Sequence, residues 1–300
     1  MESIRNRYKA ILGRMLSGAR EQKPVSEESV YQVGKVELLP FIDKILEEHL
    51  LPGSGIDGHE HIEDLLARSD RGESCLLLME HYSNFDLPAF HYLLRKAGSL
   101  GLKLANSVVA IAGIKLNESN PIVSAFADAY TRIIIYPSRS LEIIKQNFKD
   151  PNKLYHEMRR SMSINRAAMK ALGKVKNSGK IILVFPSGTR YRPGNPASKR
   201  GVREIASYIK SFDNYIPVAV NGNILRINPS GEMEDDILHS DTVVYSFGPV
   251  QKCSDLLAHV KEDHHFREDK KQETVDHIME KLEKIHAQAE EKRVHSKPIS

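Results

Sequence analysis

An α/β fold, with a mainly parallel mixed sheet flanked by helices and a small helical region at the N-terminus, is what this 300-residue chain predicts. Three observations carry that expectation. Short apolar runs such as Cys75-Leu76-Leu77-Leu78-Met79 and Ile181-Ile182-Leu183-Val184-Phe185 have the length and composition of strands buried on both faces. Helix-period stretches separate several of these runs, which is the alternation that builds parallel sheets. No apolar run approaches the ~20 residues that a membrane-spanning helix needs, so the strands have to find their cover inside a globular fold.

At the N-terminus, Ile4, Tyr8, Ile11, Leu12, Met15 and Leu16 fall on one helical face, and Arg5, Arg7, Lys9, Arg14 and Arg20 occupy the remainder. Such a basic amphipathic helix can lie on an anionic membrane surface or pack against the next helices in a small bundle. A second helix is expected over about 28–50, broken or kinked at Pro40 and ended by Pro52-Gly53-Ser54-Gly55. A short helix over about 59–68 precedes the first strand. Residues 1–70 are therefore read as the N-terminal helical region, and 71–300 as the α/β domain with a C-terminal helix. Glu2 and the lack of a serine-rich stretch argue against a transit peptide.

Strands are expected at 74–79, 107–112, 132–136, 180–185, 216–220 and 242–247, with helices at 161–175 and 201–210 in the gaps. A last helix over about 269–292 has Val275, Ile278, Met279, Leu282 and Ile285 on one face. The chain has no internal repeat, no glycine-rich dinucleotide fingerprint and no phosphate-binding P-loop sequence.

Composition narrows the function. With 41% hydrophobic and 27% charged residues the chain reads as globular. A net charge of +4 suits anionic small partners and is too modest for a dedicated nucleic-acid binder. Cys75 and Cys253 make no disulfide framework, and Cys75 sits in an expected buried strand, so a reducing, cytoplasmic setting is expected, soluble or peripheral at the membrane. His59 with His61, and His264 with His265, lack the ligand spacing of a zinc site, and no metal is expected.

Two motifs carry chemistry. His81 ends the first strand, and Asp86 stands five residues on, where Leu87-Pro88-Ala89-Phe90 opens a helix with proline in its first turn. The same spacing recurs at His59 with Asp64 and at His264 with Asp269, but both of those lie in polar flanks and only His81 follows a strand. On these residues alone the pair is either a base with its carboxylate or a strand-end histidine beside an ordinary helix cap. About a hundred residues later Phe185-Pro186-Ser187-Gly188-Thr189-Arg190 breaks a strand into a turn, with Arg192 two places beyond. Guanidinium groups present paired planar donors to phosphate, and Gly188 lets backbone approach a ligand. From 190 to 203 the segment holds Arg190, Arg192, Lys199, Arg200 and Arg203 and no acidic residue, which is a local basic field or a solvated basic loop.

Over roughly residues 75–222 these features resemble the glycerolipid acyltransferases, which move a fatty acyl chain onto glycerol 3-phosphate or lysophosphatidate. His81 and Asp86 match the family's first block, and Phe185 to Arg190 match its Phe-Pro-Glu-Gly-Thr-Arg block except at Ser187. Arg132-Ile133-Ile134-Ile135-Tyr136-Pro137-Ser138-Arg139 is similar to the block in which a strand delivers a cation, and Ile216-Pro217-Val218-Ala219-Val220 to the closing strand. Ser187, with Arg190-Tyr191-Arg192-Pro193 after it, resembles the soluble plastid-type glycerol-3-phosphate branch most.

That resemblance implies a fold, a reaction and a site. His81 would take the proton of a substrate hydroxyl, and Asp86 would hold the imidazole tautomer and stabilise its cationic form. Arg139, Arg190 and Arg192, with Gly188 and Thr189 in the turn, would hold the acceptor phosphate and aim the hydroxyl at His81. No cofactor is implied; acyl-CoA or acyl carrier protein would bring the thioester as co-substrate, with Lys199, Arg200 and Arg203 contacting the anionic carrier. The other readings are a lysophosphatidate acyltransferase and a noncatalytic lipid- or carrier-binding module.

Overall fold

The computed structural model describes residues 3–21, 23–118, 120–138, 140, 146, 150–228, 235–262 and 269–295. The strands among them are β1 (Tyr31–Gln32), β2 (Gly55–Asp57), β3 (Cys75–Met79), β4 (Val108–Gly113), β5 (Arg132–Ile135), β6 (Ile181–Val184), β7 (Asn214–Asn221), β8 (Leu225–Arg226), β9 (Ile237–Leu238), β10 (Val244–Phe247) and β11 (Gln251–Lys252). Helices separate most of the longer ones, so the α/β class is as expected. The chain divides into two compact units, one of Met1–Arg7, Asp43–Val108 and Lys176–Ser300, the other of Tyr8–Ile42 and Val109–Val175.

In the first unit the strand order is β6-β3-β7-β10-β2, with β11 also on β7. β3 runs parallel to both β6 and β7, and β10 runs antiparallel to β7 and parallel to β2. The sheet is thus mixed and mainly parallel. Every residue of β3, β6 and β7 is buried, the signature of strands covered on both faces. Pro217 sits inside β7, opposite the gap where the antiparallel partner changes from β10 to β11, so its missing N–H interrupts no ladder there. The C-terminal helix Lys270–His295 packs along β7 and β10 with Val275, Ile278 and Leu282 fully buried, the face that its periodicity predicts.

One helix in this unit starts later than expected. The helix expected over 201–210 forms only as Ile205–Ser211. Ahead of it, Val202 N donates to Pro186 O at 2.8 Å, and a Cβ on Gly201 would lie 2.3 Å from Val275 Cγ1. The backbone there is committed to the turn after β6 and to close passage under the C-terminal helix, and neither is compatible with an earlier helical start.

In the second unit β4 and β5 pair in parallel and β1 adds an antiparallel edge to β5. Val25, Val30, Ile114, Ile134, Tyr136 and Ile164 form its core. The helix expected from 28 is a correction: residues 31–32 are β1, Val36–Leu38 is a 3-10 turn, and the α-helix is Leu39–His49. Gly34 explains it, because a Cβ there would stand 2.6 Å from Ala129 O, so this stretch runs against the backbone before β5 instead of coiling. Pro40 falls in the first turn of Leu39–His49, where its missing N–H costs nothing. The helix expected at 161–175 begins ten residues earlier, as Pro151–Val175, with Asp150 Oδ1 accepting from Asn152 N at 2.9 Å.

The basic N-terminal helix is two pieces, Ile4–Arg7 and Lys9–Gly18. Tyr8, Leu12 and Met15 are buried, and Lys9–Gly18 packs against Pro121–Asp128. Tyr8, Leu12 and Met15 of its apolar face are therefore spent on packing, while Leu16 stays exposed. Among the described residues no helix is long and apolar enough to cross a membrane.

Candidate active site

The end of β3 delivers His81 into a short turn, and the helix Asp86–Lys96 follows. His81 Nδ1 lies 2.8 Å from Asp86 Oδ2. The same oxygen accepts from Tyr82 N at 2.6 Å and Ser83 N at 2.9 Å, and Oδ1 accepts from Ser83 Oγ at 3.1 Å. Tyr245 Oη donates to the Asp86 carbonyl at 2.8 Å, which ties the helix start to β10. Asp86 is only 2% exposed, so this carboxylate is a buried anion satisfied by four donors. Because Asp86 accepts, Nδ1 of His81 is the donor of this contact, and in the neutral imidazole Nε2 is then the nitrogen that can accept a proton. No hydrogen bond to Nε2 is made among the described residues.

The second motif closes on the first. Phe185 stacks on the His81 ring with centroids 4.0 Å apart and planes 20° from parallel. Gly188 adopts φ +63°, and its N donates to Phe185 O at 2.9 Å, which makes the tight turn. Ser187 is buried, and its hydroxyl is used inside the turn, donating to Thr189 O at 2.7 Å. Tyr191 N donates to His81 O at 2.8 Å, so the residue between Arg190 and Arg192 is bonded to the histidine backbone.

The cations differ in their freedom. Arg190 Nη1 pairs with Asp236 Oδ2 at 2.5 Å, and Asp236 is 1% exposed. Burial pushes the Asp236 carboxyl above its ordinary range against the opposing pull of Arg190. Arg192 is exposed, and its guanidinium meets no acidic group among the described residues. Lys199 pairs with Glu283 at 2.7 Å and Arg203 with Asp269 at 2.8 Å, while Arg200 is exposed and unpaired among the described residues. Arg139 lies outside the described residues. The other cation of that block, Arg132, is buried against Asp128 and serves the packing of the second unit.

The remaining histidine candidates separate from this site. His59 is exposed, and Asp64 is engaged by Arg68 at 3.0 Å. His264 and His265 lie outside the described residues, and Asp269 accepts from Lys271 N and Gln272 N at the start of the last helix. Sequence reasoning did not find Phe185 as a ring partner, Tyr245 as an anchor, or Asp236 as the counter-ion of Arg190. Phe185 alone carried a signal, as the apolar residue that follows β6 into the turn.

An imidazole oriented by a buried carboxylate, at the strand ends of an α/β sheet and next to an arginine-bearing turn, is an arrangement able to serve as a general base. Residues 56–221, more than half of the chain, match the model of the family described as Acyltransferase, and both motifs fall inside that span. The chain belongs to this family and is an acyltransferase, and the match supports acyl transfer in glycerolipid synthesis. No curated protein compared with the chain matches it.

Proposed function

We propose that the protein is a glycerol-3-phosphate O-acyltransferase, which moves a fatty acyl chain from a thioester to a glycerol hydroxyl. One observation carries the reading. The turn bearing Arg190 and Arg192 is hydrogen-bonded through Tyr191 N to the carbonyl of His81, 2.8 Å away, so the segment that carries the cations is tied to the backbone of the base. A phosphate held by Arg192 and by Arg190, which would have to share its guanidinium with Asp236, leaves the acceptor hydroxyl to meet Nε2 of His81. The base takes the hydroxyl proton as the oxygen attacks the thioester carbonyl. Asp86 stabilises the imidazolium until the thiolate leaves and is protonated. The nucleophile belongs to the substrate, so no acyl-enzyme is required.

The carrier of the acyl group, coenzyme A or acyl carrier protein, is anionic. Of the three cations proposed to meet it, Arg200 is unpaired among the described residues, whereas Lys199 and Arg203 have to exchange Glu283 and Asp269 for it. Charge reversal at these three positions is expected to raise the donor KM more than that of the acceptor.

The test is thiol release from a long-chain acyl-CoA by wild type and His81→Ala, with glycerol 3-phosphate and lysophosphatidate offered separately and lipid products identified. A His81-dependent monoacyl product from glycerol 3-phosphate supports the proposal. Phosphatidate formed from lysophosphatidate alone overturns it in favour of the second acceptor. Arg190→Ala is expected to raise the KM for glycerol 3-phosphate about ten-fold or more, the loss of one charge-assisted contact. An unchanged KM removes Arg190 from the site.

A further inference from the structure

A second histidine–carboxylate pair lies beside the first. Glu80, the residue between β3 and His81, is 5% exposed, and its carboxylate is fully engaged. Oε1 accepts from Tyr82 Oη at 3.0 Å, and Oε2 accepts from Val220 N at 2.9 Å and lies 2.8 Å from His286 Nδ1. His286 belongs to the C-terminal helix, outside the span matched by the family model.

The helix is fastened around that contact. Asn221 Nδ2 donates to His286 O at 3.1 Å and to Glu290 Oε2 at 2.9 Å. One turn earlier Glu283 pairs with Lys199, whose ammonium lies 5.9 Å from the centre of the Tyr82 ring and 5.8 Å from that of Tyr191. Of the two residues flanking His81 in the chain, Glu80 is thus bonded to His286, and Tyr82 Oη lies 3.4 Å from the same His286 Nδ1.

We infer that Glu80 and His286 are positioning residues for His81, and that the C-terminal helix is part of the active-site frame. The inference rests on the reading of His81 as the base. Asp86 and Phe185 fix the imidazole ring, but the direction of Nε2 also follows the peptide planes on either side of residue 81. Glu80 pins the first plane to β7 and to the C-terminal helix, and Tyr82 pins the second through the same carboxylate. A displacement of about 1 Å at a reacting atom can cost on the order of 100-fold in rate, so a looser frame is read in turnover rather than in substrate affinity.

The experiment compares wild type, His286→Leu, His286→Gln, Glu80→Gln and His81→Ala as full-length chains, with a long-chain acyl-CoA and glycerol 3-phosphate, after circular dichroism has shown each to be folded. His286→Leu is expected to lower kcat about ten-fold with both KM values within about two-fold. His286→Gln keeps an N–H for Glu80 and is expected to recover most of that loss. Glu80→Gln keeps an acceptor for Val220 N and supplies the intermediate case should the leucine variant fail to fold. If His286→Leu and Glu80→Gln turn over at the wild-type kcat while His81→Ala is inactive, the positioning role is overturned and the base stands. If kcat falls equally in the leucine and glutamine variants, the helix contact is structural only, and the inference fails. Full turnover by His81→Ala overturns the reading on which it rests.

Discussion

Asp86 shows how much one carboxylate can do when it is buried with its donors. Its two oxygens accept from the His81 ring, two backbone amides and the Ser83 hydroxyl. Asp86→Asn can keep this geometry, because the amide oxygen still accepts from His81, Tyr82 N and Ser83 N while the Ser83 hydroxyl turns to accept from the new NH2. Only the charge goes. We expect a folded protein with kcat lowered on the order of 10³- to 10⁴-fold and little change in KM, read from steady-state kinetics alongside a thermal melt. A loss of less than ten-fold means that the negative charge is not needed behind the imidazole. Cys75 and Cys253 are the opposite case: burial pushes both thiols up to about 12, so neither supplies a thiolate near neutral pH.

The C-terminal helix is the element whose role depends most on protonation. Burial works to lower the His286 pKa, but the Glu80 carboxylate outweighs it and holds the value above the ordinary 6.5. The groups facing this imidazole are Glu80, Tyr82, Lys199, Glu283 and Glu290. A histidine whose folded pKa is raised contributes stability that is complete below its unfolded value and is lost as pH rises through the folded value. Anchoring of Lys270–His295 is therefore expected to weaken on going from slightly acid to alkaline pH. Hydrogen exchange of that helix at several pH values reads this directly: its protection should fall with rising pH in wild type more than in His286→Gln. Equal pH dependence in the two proteins would assign the effect to another group.

At the scale of the whole molecule, the second unit has a buried ion pair of its own. Arg132, 2% exposed, meets Asp128 at 2.6 Å, and Asp128 also accepts from Arg20 N at 2.7 Å. Burial tends to raise the Asp128 pKa, yet Arg132 and Arg20 hold it below its ordinary range, so its contribution is present at neutral pH and fades as acid takes the pH through the lowered value. Asp128→Ala strands the Arg132 cation, and a loss of about 3–5 kcal/mol is expected by urea titration. A change below about 1 kcal/mol would show that water reaches Arg132 once the partner is gone. The apolar runs of β3, β6 and β7, the buried stripe of the last helix and the His81–Asp86 pairing were all legible in the sequence, because each depends on local periodicity or on spacing within one turn. The placement of 28–38 was not, because Gly34 is selected by the backbone of residues 129–131 rather than by its neighbours in the chain. Nor was the Arg190–Asp236 pair, or the seating of Glu80 and Tyr82 by a helix about 200 residues away. Local propensity and motif spacing determined the fold class and the family; the partners of each charge were decided by the tertiary structure, because burial makes a charge find a counterpart wherever the fold brings one.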